Sequence, residues 1–240
     1  MFLKFLLIFR NLPISFDLNY FWNFGSFLGL ILVFQIMSGF LLVFYYTNFS
    51  LESFNSVQYI MFEVNFGWFF RLLHFNLVSF FFIIIFFHFL KGLFFFSFRL
   101  KKVWFMGLFI FFILMLVSFL GYVMVWAQMS FWAGIVITSL LSVLPVFGMK
   151  LMFFIWGSFI FSFNSLKFFF VFHFILPFFI VFLVIFHLFF LHFYTSTSFS
   201  FFFSFFIKKS FFPFFWMKDL MNLFFFVLFF VLFFFFPFFF

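Results

Sequence analysis

Four histidines form two pairs with the same spacing, and both pairs lie within long apolar runs of this sequence. His88 stands at position i+14 relative to His74, and His187 stands at i+14 relative to His173. In an α-helix, this interval returns to within about 40° of the starting direction and rises about 21 Å along the axis. Each pair is therefore predicted to project from one helix face, at two depths too far apart for one small metal ion to bind both members.

The sequence around these histidines is too apolar for a soluble domain. Of 240 residues, 70% are hydrophobic and 73 are phenylalanine, with only 12 Lys or Arg and 4 Asp or Glu. Such a composition is typical of an integral membrane protein, in which phenylalanine stands where leucine, isoleucine or valine would also serve. The absence of cysteine excludes disulfides and thiolate metal sites, so metal chemistry has to come from histidine.

Long apolar stretches bounded by polar residues predict an all-α, polytopic transmembrane bundle with a four-helix core. The five predicted spans, first to fifth, are residues 24–46, 67–95, 104–125, 168–193 and 217–236. The apolar stretch 127–163 is interrupted by Pro, Gly and Lys and is predicted to form short helices at the membrane surface. The predicted domains are a surface helix over 1–20, a four-span domain over 21–200, and a loop with the fifth span over 201–240.

The basic residues predict how the chain is oriented. With five spans, the N-terminus, the second-to-third connection and the fourth-to-fifth connection lie on one face. Nine of the twelve basic residues fall there: Lys4, Arg10, Lys91, Arg99, Lys101, Lys102, Lys208, Lys209 and Lys218. The positive-inside rule makes this face the inner one. The net charge of +8 is thus a topology signal, and no nucleic-acid partner is expected.

Parallel spans bring the histidines to matching depths. The second and fourth spans both run from outside to inside, so His74 lies at the depth of His173, and His88 at that of His187. Each cross-helix pair is placed to hold a haem, with one imidazole on each axial position of the iron. The alternative is a set of polar side chains bonded between helices, but two matching pairs at membrane depth favour haem.

Glycines repeat the same interval on the other two spans. Gly25 and Gly39 lie on the first span, Gly107 and Gly121 lie on the third, and both pairs are again spaced i, i+14. Glycine allows a helix to approach the edge of a haem closely, because no side chain intervenes. These four residues are therefore predicted to line the haem sites, although small residues are also common at ordinary helix contacts.

Basic residues near the histidines are candidate partners for haem propionates. Arg71 lies three residues before His74, near the outer surface, whereas Lys91 and Arg99 lie toward the inner surface. Arg71 is favoured because it is a lone base in a base-poor region, where an anionic partner would stabilise it. The alternative is that its side chain simply extends to the membrane surface.

Several motifs in order resemble the cytochrome b family, the mitochondrial core of quinol–cytochrome c reductase. They are NLP from residue 11, FWNFGSFLGL from 21, FGWFFRLLHFN from 66, GYVMVWAQMSFWAGIVITSLLSVLP from 121, FHFILPF from 172 and HLFFLH from 187. The resemblance covers about residues 11–222 and implies two non-covalent haem b groups. His74 with His173 would hold the low-potential haem near the outer face, and His88 with His187 the high-potential haem near the inner face.

The resemblance also implies quinone sites. The inner quinone reduction site would contain Trp22, Asn23, Ser26, His192, Ser196, Lys218 and Asp219. His192 would bond or protonate the quinone, and Asp219 would relay protons. Tyr122 and QMSFW from Gln128 would belong to the outer quinol oxidation site.

The family's known setting implies the partners and the location. Electrons from ubiquinol would pass through the two haems to quinone, coupled to proton translocation. The surrounding complex III would be dimeric and would contain the Rieske iron–sulfur protein, cytochrome c1 and other subunits. It would lie in the mitochondrial inner membrane, with the N-terminus of this chain in the matrix.

Departures from the family pattern cluster near the outer site. Val125, Trp126 and Ala127 stand in place of Pro-Trp-Gly, and Ala133 in place of Gly. The methyl of Ala133 would narrow the pocket at a position where, in the family that this chain resembles, the same change is associated with resistance to strobilurin-type inhibitors. The resemblance therefore implies native resistance. The family's Pro-Glu-Trp-Tyr motif and its three further spans do not occur in these 240 residues. A separate polypeptide is expected to supply them, the alternative being that this sequence is truncated or partial.

Three alternatives differ from this interpretation. A photosynthetic cytochrome b6 would have its second pair of histidines spaced i, i+15 and a cysteine for an extra haem, whereas here the spacing is i, i+14 and cysteine is absent. A transporter or proton channel would use intramembrane histidines without haem. A membrane anchor would need no redox group at all.

Overall fold

A computed structural model describes residues 13–15, 18, 20–194, 208–210 and 212–235 of the chain. These residues contain eight α-helices and two short strands. The helices are α1 Phe24–Val43, α2 Ser53–Phe62, α3 Gly67–Phe94, α4 Lys101–Met124, α5 Gln128–Ser139, α6 Gly148–Trp156, α7 Phe163–Tyr194 and α8 Phe214–Phe235. The strands are β1 Pro13–Ser15 and β2 Lys208–Ser210.

Four of the described helices are long and apolar enough to cross a membrane. They are α1 with its preceding 3-10 turn, α3, α4 and α7, of 24, 28, 24 and 32 residues. These are the first four predicted spans, so the all-α membrane bundle is confirmed. The fifth predicted span corresponds to α8, whose role as a span stays a prediction.

Helix α7 begins five residues before the predicted span, because its first turn contains a buried polar residue. Ser165 is fully buried; its hydroxyl accepts a hydrogen bond from the Ser162 N–H at 3.1 Å and donates to the Trp156 carbonyl at 3.1 Å. This hydroxyl satisfies one backbone group just before α7 and one at the end of α6. A buried polar residue therefore lies within the first turn of α7.

The described residues form two compact parts. The first takes its members from 1–33, 79–99 and 195–240, and the second consists of 34–78 and 100–194. Helices α1 and α3 contribute to both parts, α8 belongs to the first, and the other helices belong to the second.

In the second part, α4 packs along α7 over much of its length. The core here consists of Leu120, Val123, Phe161 and Phe169, each at most 4% exposed. Trp126 stacks on Phe161 with ring centroids 5.4 Å apart. Burial of these large apolar groups positions the end of α4 and the beginning of α7, between which α5 and α6 are connected.

The stretch predicted to form short surface helices does fold into α5, a 3-10 turn at Leu140–Val143, and α6. The Ala127 N–H at the start of α5 bonds the Ser130 hydroxyl at 2.9 Å. Helix α6 is followed by Gly157, whose φ of 64° is the left-handed conformation favoured by glycine after a helix.

The lead-in predicted as a surface helix over 1–20 is mostly outside the described residues. Within it, Pro13–Ser15 form a strand, so the helix prediction is wrong for these three. They pair antiparallel with Lys208–Ser210, and Ile14 lies opposite Lys209. Proline lacks the N–H that a helix interior requires, which favours the extended edge position that Pro13 occupies.

Candidate functional site

His74 on α3 and His173 on α7 face each other in the second part of the chain. Their ring centroids are 6.2 Å apart, and the ring planes are inclined by 80°. A metal–imidazole bond is about 2 Å long and the nitrogen lies about 1 Å from its ring centre, so two imidazoles on opposite sides of one metal have centres about 6 Å apart. The observed separation therefore suits two axial ligands of a single iron.

A glycine lies against each of these two rings. An ideal Cβ placed on Gly39 would be 3.0 Å from His74 Cε1, and one placed on Gly121 would be 2.6 Å from His173 Cε1. Contacts this short require the ring to move. The glycines thus leave the space that each imidazole occupies, whereas their predicted approach to the edge of a haem stays a prediction.

Hydrogen bonds settle which ring nitrogen carries the proton. His173 Nδ1 lies 2.9 Å from the Val117 carbonyl oxygen, which only accepts, so Nδ1–H is the donor. His74 Nδ1 lies 3.0 Å from Ser38 Oγ. The Ser38 hydroxyl donates to the Phe34 carbonyl at 2.7 Å, so its oxygen accepts from His74 Nδ1–H. With Nδ1–H the donor in both rings, Nε2 of each imidazole carries the lone pair that a metal requires.

Taken together, these features fit a haem iron. The donor set is two neutral imidazoles at axial separation, the flanking glycines leave room for the rings, and neighbouring groups hold both tautomers. His74 and His173 would hold the group, and a haem held by two histidines would supply electron transfer rather than oxygen chemistry.

The second predicted pair has the same local relation to glycine. In the first part of the chain, a Cβ on Gly25 would be 3.3 Å from His88 Cε1. In the second part, a Cβ on Gly107 would be 3.2 Å from His187 Cε1. Each of the four predicted glycines therefore contacts one of the four predicted ligands, although the joint use of His88 and His187 stays a prediction.

The basic residues predicted to bind propionates lie over aromatic rings. The Arg71 guanidinium is 5.5 Å from the centroid of Phe75, and the Lys91 ammonium is 4.9 Å from that of Trp22. Both cations thus obtain some stabilisation from a ring face. Their pairing with propionates stays a prediction.

Three of the residues predicted for quinone reduction meet in the first part of the chain. Asp219 Oδ1 accepts from Asn23 Nδ2 at 2.9 Å and from the Ser26 hydroxyl at 2.6 Å. The Lys218 ammonium donates to the Leu18 carbonyl at 2.7 Å. The carboxylate is thereby held at the start of α8 against the turn that precedes α1.

Three other residues were predicted for the quinone sites: His192, Tyr122 and Ser196. His192 is in the last turn of α7, in the second part of the chain, and Tyr122 is an exposed residue near the end of α4. Ser196 is outside the described residues.

The sequence reasoning missed two residues on α1 that contact His74. Ser38 bonds the ring, and Gln35 Nε2 donates to the His74 backbone carbonyl at 3.0 Å. Their sequence signal was present, because two polar residues three apart share one face of an otherwise apolar helix.

Comparison with known proteins decides the family. The family model described as Cytochrome b/b6/petB matches residues 9–195. The chain belongs to the cytochrome b family. Among curated proteins of this family, it is 58% identical over 163 residues to cytochrome b of Caenorhabditis elegans, a match that covers 68% of this chain and 44% of that one. It is 43% identical over 223 residues to cytochrome b of Apis mellifera ligustica, covering 93% and 58%.

A solved structure agrees with this chain in fold. A chain of the structure called Hyperthermophilic respiratory Complex III superposes with a TM-score of 0.86 at 25% identity, covering 99% of this chain and 65% of that one. This chain spans about half the length of the curated cytochromes b that it matches. Family membership argues against the transporter and anchor hypotheses.

Proposed function

We propose that this cytochrome b family member is an electron-transfer subunit of a respiratory quinol–cytochrome c reductase that carries two haem b groups. The observation that carries the proposal is the His74–His173 pair, with ring centres 6.2 Å apart and an Nδ1 contact on each ring. A pair held only as structural polar residues would be expected to bond each other, whereas here each Nδ1 is bonded elsewhere.

The four histidines would divide between two haems. His74 and His173 would hold the outer, low-potential group, and His88 and His187 the inner, high-potential group. The second assignment rests on the equal sequence interval and on the glycine against each ring. When bound, the two haems would supply one-electron transfer between quinol oxidation on the outer side and quinone reduction on the inner side.

Quinone reduction would use the carboxylate of Asp219. Asn23 and Ser26 orient this group by hydrogen bonds to Oδ1, so a proton can be carried at the carboxylate toward a bound quinone. By resemblance, Trp22, Lys218, His192 and Ser196 would complete the ubiquinone site.

The location and partners proposed for this chain are those that the resemblance to the cytochrome b family implies. The chain would function in the mitochondrial inner membrane with its N-terminus in the matrix, in a dimeric complex with the Rieske iron–sulfur protein, cytochrome c1 and other subunits. Tyr122 would serve quinol oxidation, and resistance to strobilurin-type inhibitors through Ala133 stays a prediction.

Haem stoichiometry tests the central proposal. Pyridine haemochrome analysis of the purified native complex should give two haem b per copy of this chain. A complex that contains the intact chain but no haem b would refute the electron-transfer function.

Replacing Asp219 with Asn tests the proton role. The amide oxygen can still accept from Asn23 and Ser26, so the cluster should persist while the titratable group is lost. Quinone reduction at the inner site should fall about 100-fold, the lower range for loss of a general acid or base. The rate would be measured in membranes with haem content as a check.

Glu63→Gln provides the matched control for this variant. Glu63 is an exposed carboxylate just after α2, and its replacement should leave the rate unchanged. An Asp219→Asn rate equal to the wild-type rate would rule out a proton-carrying role for Asp219.

A further inference from the structure

Ser38 is a buried hydroxyl whose contacts extend beyond its own helix. It is 1% exposed, and its Oγ lies 2.7 Å from the Phe34 carbonyl, 3.1 Å from the Gln35 carbonyl and 3.0 Å from His74 Nδ1. A hydroxyl has one hydrogen and two lone pairs. If that hydrogen pointed at His74, lone pairs of the hydroxyl and the Phe34 carbonyl would face each other at hydrogen-bond distance. The hydrogen therefore goes to the Phe34 carbonyl, and His74 Nδ1–H donates to Ser38.

The two facing histidines differ in what accepts their proton. His173 donates to a backbone carbonyl, that of Val117, whereas His74 donates to a side chain. Gln35, one turn before Ser38, also holds the backbone carbonyl of His74. One turn of α1 thus anchors both the ring and the main chain of this histidine. A hydrogen bond from the distal nitrogen fixes the tautomer and raises the basicity of the nitrogen that binds metal.

We propose that Ser38 is a positioning residue that holds His74 in its iron-binding tautomer and thereby sets the reduction potential of the outer haem alone. This proposal rests on the proposed function, since it requires a haem at His74. A more basic axial imidazole stabilises ferric iron relative to ferrous iron. Removal of the hydroxyl should therefore make the outer haem easier to reduce, while the haem assigned to His88 and His187 keeps its potential.

The test is a redox titration of the native complex carrying Ser38→Ala. At fixed ambient potential, the ferrous-to-ferric ratio of the outer haem should rise roughly threefold to tenfold, and tenfold corresponds to about 59 mV for a one-electron couple. Ser38→Thr keeps a hydroxyl on the same carbon and should restore the wild-type potential. Ser38→Cys, whose sulfur is a weak acceptor, should give a smaller shift in the same direction as alanine.

Ser118→Ala is the matched control. Ser118 also donates to the carbonyl four residues earlier in its helix, that of Leu114 at 2.9 Å. Its removal should leave both potentials in place. A shift in Ser118→Ala as large as that in Ser38→Ala would overturn the proposal, because loss of any helical hydroxyl would then produce it.

Three other results would overturn the proposal: an unchanged potential in Ser38→Ala, equal shifts in the alanine and threonine variants, or an equal shift of both haems. If the alanine variant does not assemble, the cysteine and threonine variants decide. The haem content of the wild-type complex distinguishes failure of the role proposed for Ser38 from failure of the proposed function. Two haem b groups with an unmoved potential refute only the role of Ser38, whereas absence of haem refutes the proposed function as well.

Discussion

Replacement of His74 by alanine should lower the haem b content from two per chain to one, and the haem that remains should be the high-potential one. The reciprocal His88→Ala should leave only the low-potential haem. Each change removes one axial ligand. The two histidines are about 21 Å apart along a continuous helix, so the second site keeps both of its ligands.

Pyridine haemochrome content per chain, combined with a redox titration, checks this prediction. His192→Ala is the control, because the fifth histidine belongs to no haem pair, and this variant should keep two haems. Retention of both haems in His74→Ala would contradict the assignment. Loss of both haems at unchanged chain abundance would show that the two sites are not independent.

Adding one methyl group at the glycines should impair the haem sites in a graded order. Gly121→Ala should have the largest effect, because its Cβ would lie 2.6 Å from His173 Cε1 and 3.1 Å from Nδ1. The ring would have to leave its bond to the Val117 carbonyl. Gly39→Ala should follow, since its Cβ would lie 3.0 Å from His74 Cε1. Overpacking of this kind costs about 1–3 kcal/mol, which should appear as lost low-potential haem.

The inner glycines and a third glycine of α1 complete the series. Gly107→Ala and Gly25→Ala should have smaller effects, because their closest ring atoms would lie at 3.2 and 3.3 Å. Gly29 has no such neighbour within 4 Å. Its replacement by alanine should therefore keep both haems and stabilise the helix by about 0.5–1 kcal/mol.

The order of severity of these variants is measured as the haem that each purified complex retains during heating. If Gly29→Ala lost as much haem as Gly121→Ala, helix mutation itself rather than contact with the ligand would explain the loss. If Gly25→Ala were the most severe variant, the contact distances would not determine the effect.

Much of the bundle was predictable because membrane helices obey simple one-dimensional rules. The second span was predicted at 67–95 and is helical over Gly67–Phe94. Apolar length determines where such a helix lies. The errors fall where tertiary contacts satisfy polar groups: Ser165 is buried inside α7, and Pro13–Ser15 pair with a strand that lies far away in the sequence, after α7.

The positions of the histidines and glycines were likewise determined by the sequence, since helical rise and turn depend only on residue number. The i, i+14 interval places His74 and His88 on one face whatever surrounds the helix. Which nitrogen of a ring carries the proton depends instead on what a neighbouring helix presents to it. Only the tertiary structure brought the Ser38 hydroxyl to His74 and the Val117 carbonyl to His173, because these contacts follow from how α1 and α4 are rotated and packed.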